Sequence, residues 1–115
     1  MNRKKLILQT AKIAFDTLGF RPGKSRKERN VQCRSVISAA FQPYCTQMEI
    51  SSIVKRDRTT VAYYQSKHND NYKYWSGYNF LFDSIERKVK KSLGKNMIEA
   101  TIDTIDVELM ELTKL

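Results

Sequence analysis

Two helix starts lie eleven residues apart in "TQMEISSIVKRDRTTV", residues 46 to 61, and nothing else in the chain restricts its fold as much. Thr46 and Glu49 have the Thr-x-x-Glu spacing in which each side chain satisfies an unpaired backbone N–H of a helix's first turn. Asp57 stands where its carboxylate can accept the N–H of Thr59 or Thr60 and so begin a second helix. The first helix can then run only to about Val54. A short helix, a tight turn and a second helix that opens on polar residues is the helix-turn-helix plan, whose second helix offers its N-terminal side chains to base edges in the major groove.

The rest of the chain reads as helix with almost no strand. Ile7, Ala11, Ala14, Phe15 and Leu18 recur at spacings of three and four, which predicts an amphipathic helix over residues 4 to 18, ending near Gly19. Residues 20 to 30, "FRPGKSRKERN", hold Pro22, Gly23 and five basic groups against one acid, so the pattern predicts a loop that is also a cationic arm. A helix follows with Cys33, Val36, Ile37, Ala40 and Phe41 on one face, closed by Pro43. After the helix that Asp57 begins, "NDN" (69 to 71) reads as a break. Trp75, Tyr78, Phe82, Ile85 and Val89 then form a stripe on a longer helix from about 72 to 92, whose "RKVKK" end suits a helix C-terminus. Five helices in a compact all-α bundle, plus a tail helix, are expected.

Charge divides the chain into two parts. Of the 115 residues, 1 to 95 carry 20 basic and 7 acidic side chains (+13), and 96 to 115 carry 1 and 5 (−4), which together give the net +9. Such an excess favours polyanions, nucleic acid first and acidic membrane surface second. At the junction, "SLGKN" puts Gly94 where a helix stops and Asn96 where another starts, with Glu99 completing a capping arrangement. Residues 1 to 95 are therefore expected to form one domain and 96 to 115 an acidic amphipathic helix. Its seam of Ile98, Ile102, Ile105, Leu109 and Leu112 follows spacings of four and three, as in a helix packed lengthwise on another. The seam is open to two readings: it covers its own domain, or it joins a second copy or another protein.

Several chemistries find no support in the residues. No apolar run approaches the roughly 20 residues of a membrane span, and "MNRKKLIL" lacks the apolar region of a signal peptide, so a cytoplasmic protein without a membrane partner is expected. Cys33, Cys45 and the single histidine, His68, do not make a zinc site, and buried free thiols are the expectation. No phosphate loop, Cys/His pair or Ser/His/Asp set stands at a favourable spacing, which argues for neither enzyme nor cofactor.

With those residues in view, the segment from roughly 5 to 92 resembles the C-terminal DNA-binding domain (domain IV) of the bacterial replication initiator DnaA, a TrpR-like helix-turn-helix. The resemblance rests on "EISSIVKRDRTTVAYYQSKH", similar to that family's Glu-Ile, short gap, Arg-Asp-His-Thr-Thr-Val pattern. It implies that Arg26, or Lys24 beside it, enters the minor groove from the basic loop. It also implies a phosphate contact for Arg34, base reading by Asp57, Arg58 and Thr59, and backbone-holding or structural roles for Arg56 and Thr60. The family's two glycines before Arg-Asp are replaced by Lys55 with one residue fewer, and its histidine is Arg58. Arginine suits guanine, whose O6 and N7 accept two parallel N–H groups, so the initiator's own binding sequence does not carry over. Without a phosphate loop the chain resembles the reading head alone, as a phage or mobile-element regulator of replication or transcription would use it.

Other uses compete with this one. A structural or assembly protein would use the basic face nonspecifically and the tail helix for a protein partner. Tyr63, Tyr64, Tyr72, Tyr74, Trp75 and Tyr78, interleaved with Lys67 and Lys73, suggest stacking of unpaired bases, although Trp75 and Tyr78 share the apolar stripe and read more simply as core. Asp57 is a helix cap, a base contact, or both.

Overall fold

The computed structural model describes residues 2–19 and 27–94. Over these it is all helix: α1 (Arg3–Leu18), α2 (Glu28–Phe41), α3 (Gln47–Val54), α4 (Arg58–Ser66), α5 (His68–Tyr74) and α6 (Tyr78–Val89), closed by a π-helical turn, Lys90–Gly94. The expected all-α bundle is what forms. Residues 20–26 and 96–115, and with them the expected arm residues Lys24 and Arg26 and the expected tail helix, lie outside the described residues.

The first helix follows its periodicity. Asn2 accepts the Lys5 N–H at 2.8 Å, Ile7, Ala11, Ala14, Phe15 and Leu18 are buried, and Gly19 ends the helix at φ 84° with its N–H on the Phe15 and Asp16 carbonyls. A left-handed residue here is easiest for glycine, which has no Cβ to clash.

The second helix departs from its predicted pattern. It starts at Glu28, three residues inside the predicted loop, and all nine residues from Cys33 to Phe41 are buried rather than one face. The reason is position: α3, α4, α5 and α6 all pack against α2, so no side of its C-terminal half meets water. Sequence periodicity shows a helix that is half covered; a helix enclosed on all sides hides Ser35, Ser38 and Arg34 as well. Trp75 Nε1 donates to the Glu28 carboxylate at 2.9 Å, and the Gln32 amide donates to the Ser76 carbonyl at 3.0 Å, which fixes the start of α2 to the α5–α6 corner.

Two further boundaries are corrected. The helix that Asp57 begins does end before "NDN", at Ser66, but "NDN" is not a breaker: it lies in α5, where Asp70 in the first turn suits the positive end of a short helix. The single helix expected from 72 to 92 is instead interrupted between Tyr74 and Tyr78, because Gly77 adopts φ 81° and turns the chain. The aromatic stripe survives this break. Tyr78, Ile85 and Val89 are buried, Trp75 and Phe82 are packed against the core, and Trp75, Tyr78 and Phe82 stack in series. His68 sits at the edge of that stack, bonded to the Tyr78 hydroxyl at 2.8 Å, and its burial lowers the imidazole pKa.

Both cysteines are free thiols, Cys33 buried and Cys45 half-buried; burial raises both, Cys45 to about 11. Among the described residues no group of three or more His, Cys, Asp or Glu could hold a metal ion. No helix among them is long and apolar enough to cross a membrane.

Candidate nucleic-acid interface

The capping signals that define α3 and α4 in the sequence also set the geometry between them. Thr46 Oγ1 accepts the Glu49 N–H at 3.2 Å, and the Glu49 carboxylate accepts the Thr46 N–H at 2.8 Å. Arg3 then grips the same carboxylate through both Nε and Nη2, each at 2.9 Å, and its Nη2 also donates to the Tyr44 carbonyl. These contacts, the Arg3 hydrogen bond first, hold the Glu49 carboxyl at a pKa of about 2. One acid therefore closes a helix start and ties α3 to α1.

Three residues connect α3 to α4. Lys55 takes φ 56°, the only positive φ outside glycine among the described residues. Ser51 holds the turn from inside: its carbonyl accepts the N–H groups of Lys55 and Arg56, and its hydroxyl donates to the Arg56 carbonyl. A bulky side chain in the left-handed region costs about 1 kcal/mol or more relative to glycine, so a cationic side chain is kept here against local preference. Lys55 is exposed.

Asp57 is a helix cap, and its partner is Thr60 rather than Thr59. Its Oδ1 accepts the Thr60 N–H at 2.7 Å. The carboxylate is fully exposed, and hydrogen bonds from Thr60, then the charge of Arg56, lower its pKa. The cap fixes where α4 begins and hence which side chains face outward.

From that start, Val61 and Tyr64 turn inward and Arg58, Thr59, Tyr63 and Ser66 turn out, with Ala62 half-exposed between them. These five residues fall on one face at helical spacing. The Arg58 side chain has no hydrogen bond, ion pair or ring contact with any described residue. Tyr63 is 58% exposed, and the Lys67 ammonium lies 5.8 Å from its ring centroid. From Lys55 to Lys67 the chain carries four basic side chains and one acid, and that acid is engaged with Thr60. The result is an outward helix face with cations at both ends and hydroxyls and a ring between them.

The other expected site residues fall into two groups. Thr60 is half-buried, and its N–H serves the cap. Arg56 is half-buried too, with its Nε enclosed and lacking a partner among the described residues. Arg34 corrects the expectation of a phosphate contact: it is 1% exposed, and its Nε donates to the Tyr64 hydroxyl at 3.2 Å. Starting α2 at Glu28 moves Arg34 from the helix tip to its second turn, where it faces the buried side of α4. There it supports α4 from behind, along with the Gln65 amide, which donates to the Ser38 carbonyl.

Sequence reading left Tyr63, Ser66 and Lys67 out of the site. The helical phase of α4 holds the signal for the first two, since a face that includes Arg58 and Thr59 continues through Ala62, Tyr63 and Ser66 once Val61 and Tyr64 point inward. The wider aromatic cluster does not form one stacking platform. Tyr64 and Tyr78 are buried, Trp75 is half-buried, and Tyr72 donates to Asp83 at 3.1 Å, leaving Tyr63 and Tyr74 as the freely exposed rings of that set. No known protein family, curated protein or solved structure matches the chain.

Proposed function

We propose that the protein binds double-stranded DNA sequence-specifically, with α4 in the major groove and no chemistry on the bound DNA. The observation that carries this reading is the outward face of α4, where Arg58 and Thr59 stand exposed at a capped helix start and the Arg58 side chain has no partner among the described residues. An exposed guanidinium held at a helix start by a capped turn can reach a base edge, and its two parallel N–H groups match guanine O6 and N7. Thr59 and Tyr63 lie one turn apart beside it and supply hydroxyl and ring contacts to neighbouring bases or thymine methyls. Asp57 serves as the cap, and any contact it makes to a cytosine amino group shares that carboxylate. Lys55, Arg56 and Lys67 contribute the sequence-independent affinity that phosphate neutralisation provides. The DnaA resemblance adds Lys24 and Arg26 as minor-groove contacts, and a role in regulating replication or transcription.

Selection of bound sites from a random duplex pool, at fixed salt, tests the reading. A recurring motif with a guanine that is lost as a preference in Arg58→Ala supports it. If no motif emerges, and Arg58→Ala weakens all duplexes equally, the protein is a nonspecific DNA-packing protein instead.

A further inference from the structure

On the α1 side of α3 lies a groove of about 440 Å³ lined by Arg3, Lys4, Ile7, Leu8, Met48 and Ile53. Two of its large apolar side chains face water, Leu8 at 56% and Met48 at 63% exposure. Glu49 also borders the groove and is already neutralised by Arg3 at 2.9 Å, which leaves Lys4 as a positive rim charge. Lys12, one helical turn beyond Leu8 on α1, extends the basic edge. An apolar floor with a cationic border calls for an amphipathic, acidic occupant.

We propose that residues 96–115 of the same chain occupy this groove. They bear an apolar seam of Ile98, Ile102, Ile105, Leu109 and Leu112 and a net charge of 1 − 5 = −4, complementary to the groove in both respects. The described chain also ends against α1: the Thr10 and Ser92 hydroxyls lie 2.6 Å apart, so the segment leaves the fold from the helix that forms one wall of the groove. Length fits as well: twenty helical residues span about 30 Å and α1 spans about 24 Å, so the seam can run beside α1 over its whole length. Attachment through a short connection raises the effective concentration to the millimolar range, which favours the chain's own segment over that of a second copy. This inference stands apart from the DNA reading and rests on none of its residues.

Hydrogen exchange on the full chain tests it, comparing the natural sequence with a Leu8→Asp, Met48→Asp double variant. Both altered positions are exposed, so the core is spared, and unchanged protection of Val36 and Ile37 in α2 verifies the fold. The expected result is a monomer in which amides of 98–112 are protected, and in which the groove variant exchanges them at least about tenfold faster. Tail amides that are unprotected in the natural chain, or that keep their protection in the variant, overturn the proposal. So does protection that accompanies a dimeric mass by light scattering and fades on dilution, because it assigns the groove to a second copy's tail.

Discussion

Arg34 and Arg58 are the same residue on neighbouring helices, and the fold treats them oppositely. Arg34 is enclosed and hydrogen-bonded to Tyr64, whereas Arg58 is exposed and unpaired among the described residues. A guanidinium used for structure is desolvated and fully engaged, because an unpaired buried charge costs several kcal/mol. One left for a ligand keeps its water until the ligand replaces it. The contrast between a committed cation on α2 and an uncommitted one on α4 separates scaffold from the proposed interface more sharply than charge alone.

Removing the buried arginine is expected to have the largest effect. Arg34→Ala leaves a cavity and strips the Tyr64 hydroxyl of a donor, and about 3 kcal/mol of stability should disappear in urea unfolding. Arg34→Met, which keeps most of the volume, should recover part of it. If Arg34→Ala unfolds like the natural protein but loses affinity for every duplex, the contrast fails and Arg34 is a phosphate contact after all.

Next comes Arg58→Ala, for which the two readouts should exchange places. Stability should stay within about 0.5 kcal/mol, as for other exposed positions. Discrimination between selected and random duplex should fall by roughly tenfold or more, the loss of about 1–3 kcal/mol expected for a bidentate base contact. Equal loss on all sequences would move Arg58 to the backbone-contacting group with Lys55 and Lys67.

The Arg3–Glu49 pair gives a smaller, pH-dependent effect. Because the folded carboxyl titrates at about 2 against an ordinary 4.5, its contribution is fully present above 4.5 and is lost as pH falls through about 2. Both partners are partly exposed, so solvent screening limits the pair itself to under about 1 kcal/mol, with a similar amount for the capping box. Glu49→Gln should therefore lower stability by about 1 kcal/mol at pH 7, and the gap from the natural protein should close between pH 4.5 and 2 in urea titrations. A gap that is constant across that range would show that the carboxylate charge contributes nothing.

Lys55→Gly should produce the smallest change, and in the opposite direction. Relieving a left-handed lysine is expected to stabilise the fold by up to about 1 kcal/mol, offset in part by the greater freedom of glycine in the unfolded chain. The same change should weaken DNA binding uniformly and lower the salt dependence by about one phosphate contact. Affinity that is unchanged would leave the strained lysine without a role in binding.

How much of this was legible in advance depended on the range of the interaction. Caps are local: Thr46, Glu49, Asp57 and Gly19 each act within four residues, and the structure places each where its sequence signal predicts. The Gly77 turn is local as well, yet the aromatic stripe that crosses it kept its spacing and masked the break. The start of α2 depends on Trp75, 47 residues away, which holds Glu28. No local pattern contains that bond. For the same reason the expected face of α2 grew to a fully buried half-helix, and Arg34 passed from candidate ligand contact to internal support.

The sequence alone determined the all-α class, the paired caps of α3 and α4 and the basic, outward start of α4, because hydrogen bonds and helical phase over a few residues decide them. Only the tertiary structure decided which cations are spent inside the fold, that Tyr63 shares the open face of α4, and that α1 and α3 leave an apolar groove between them. Burial is a sum over neighbours distant in sequence, and so it cannot be read from the order of residues along one helix.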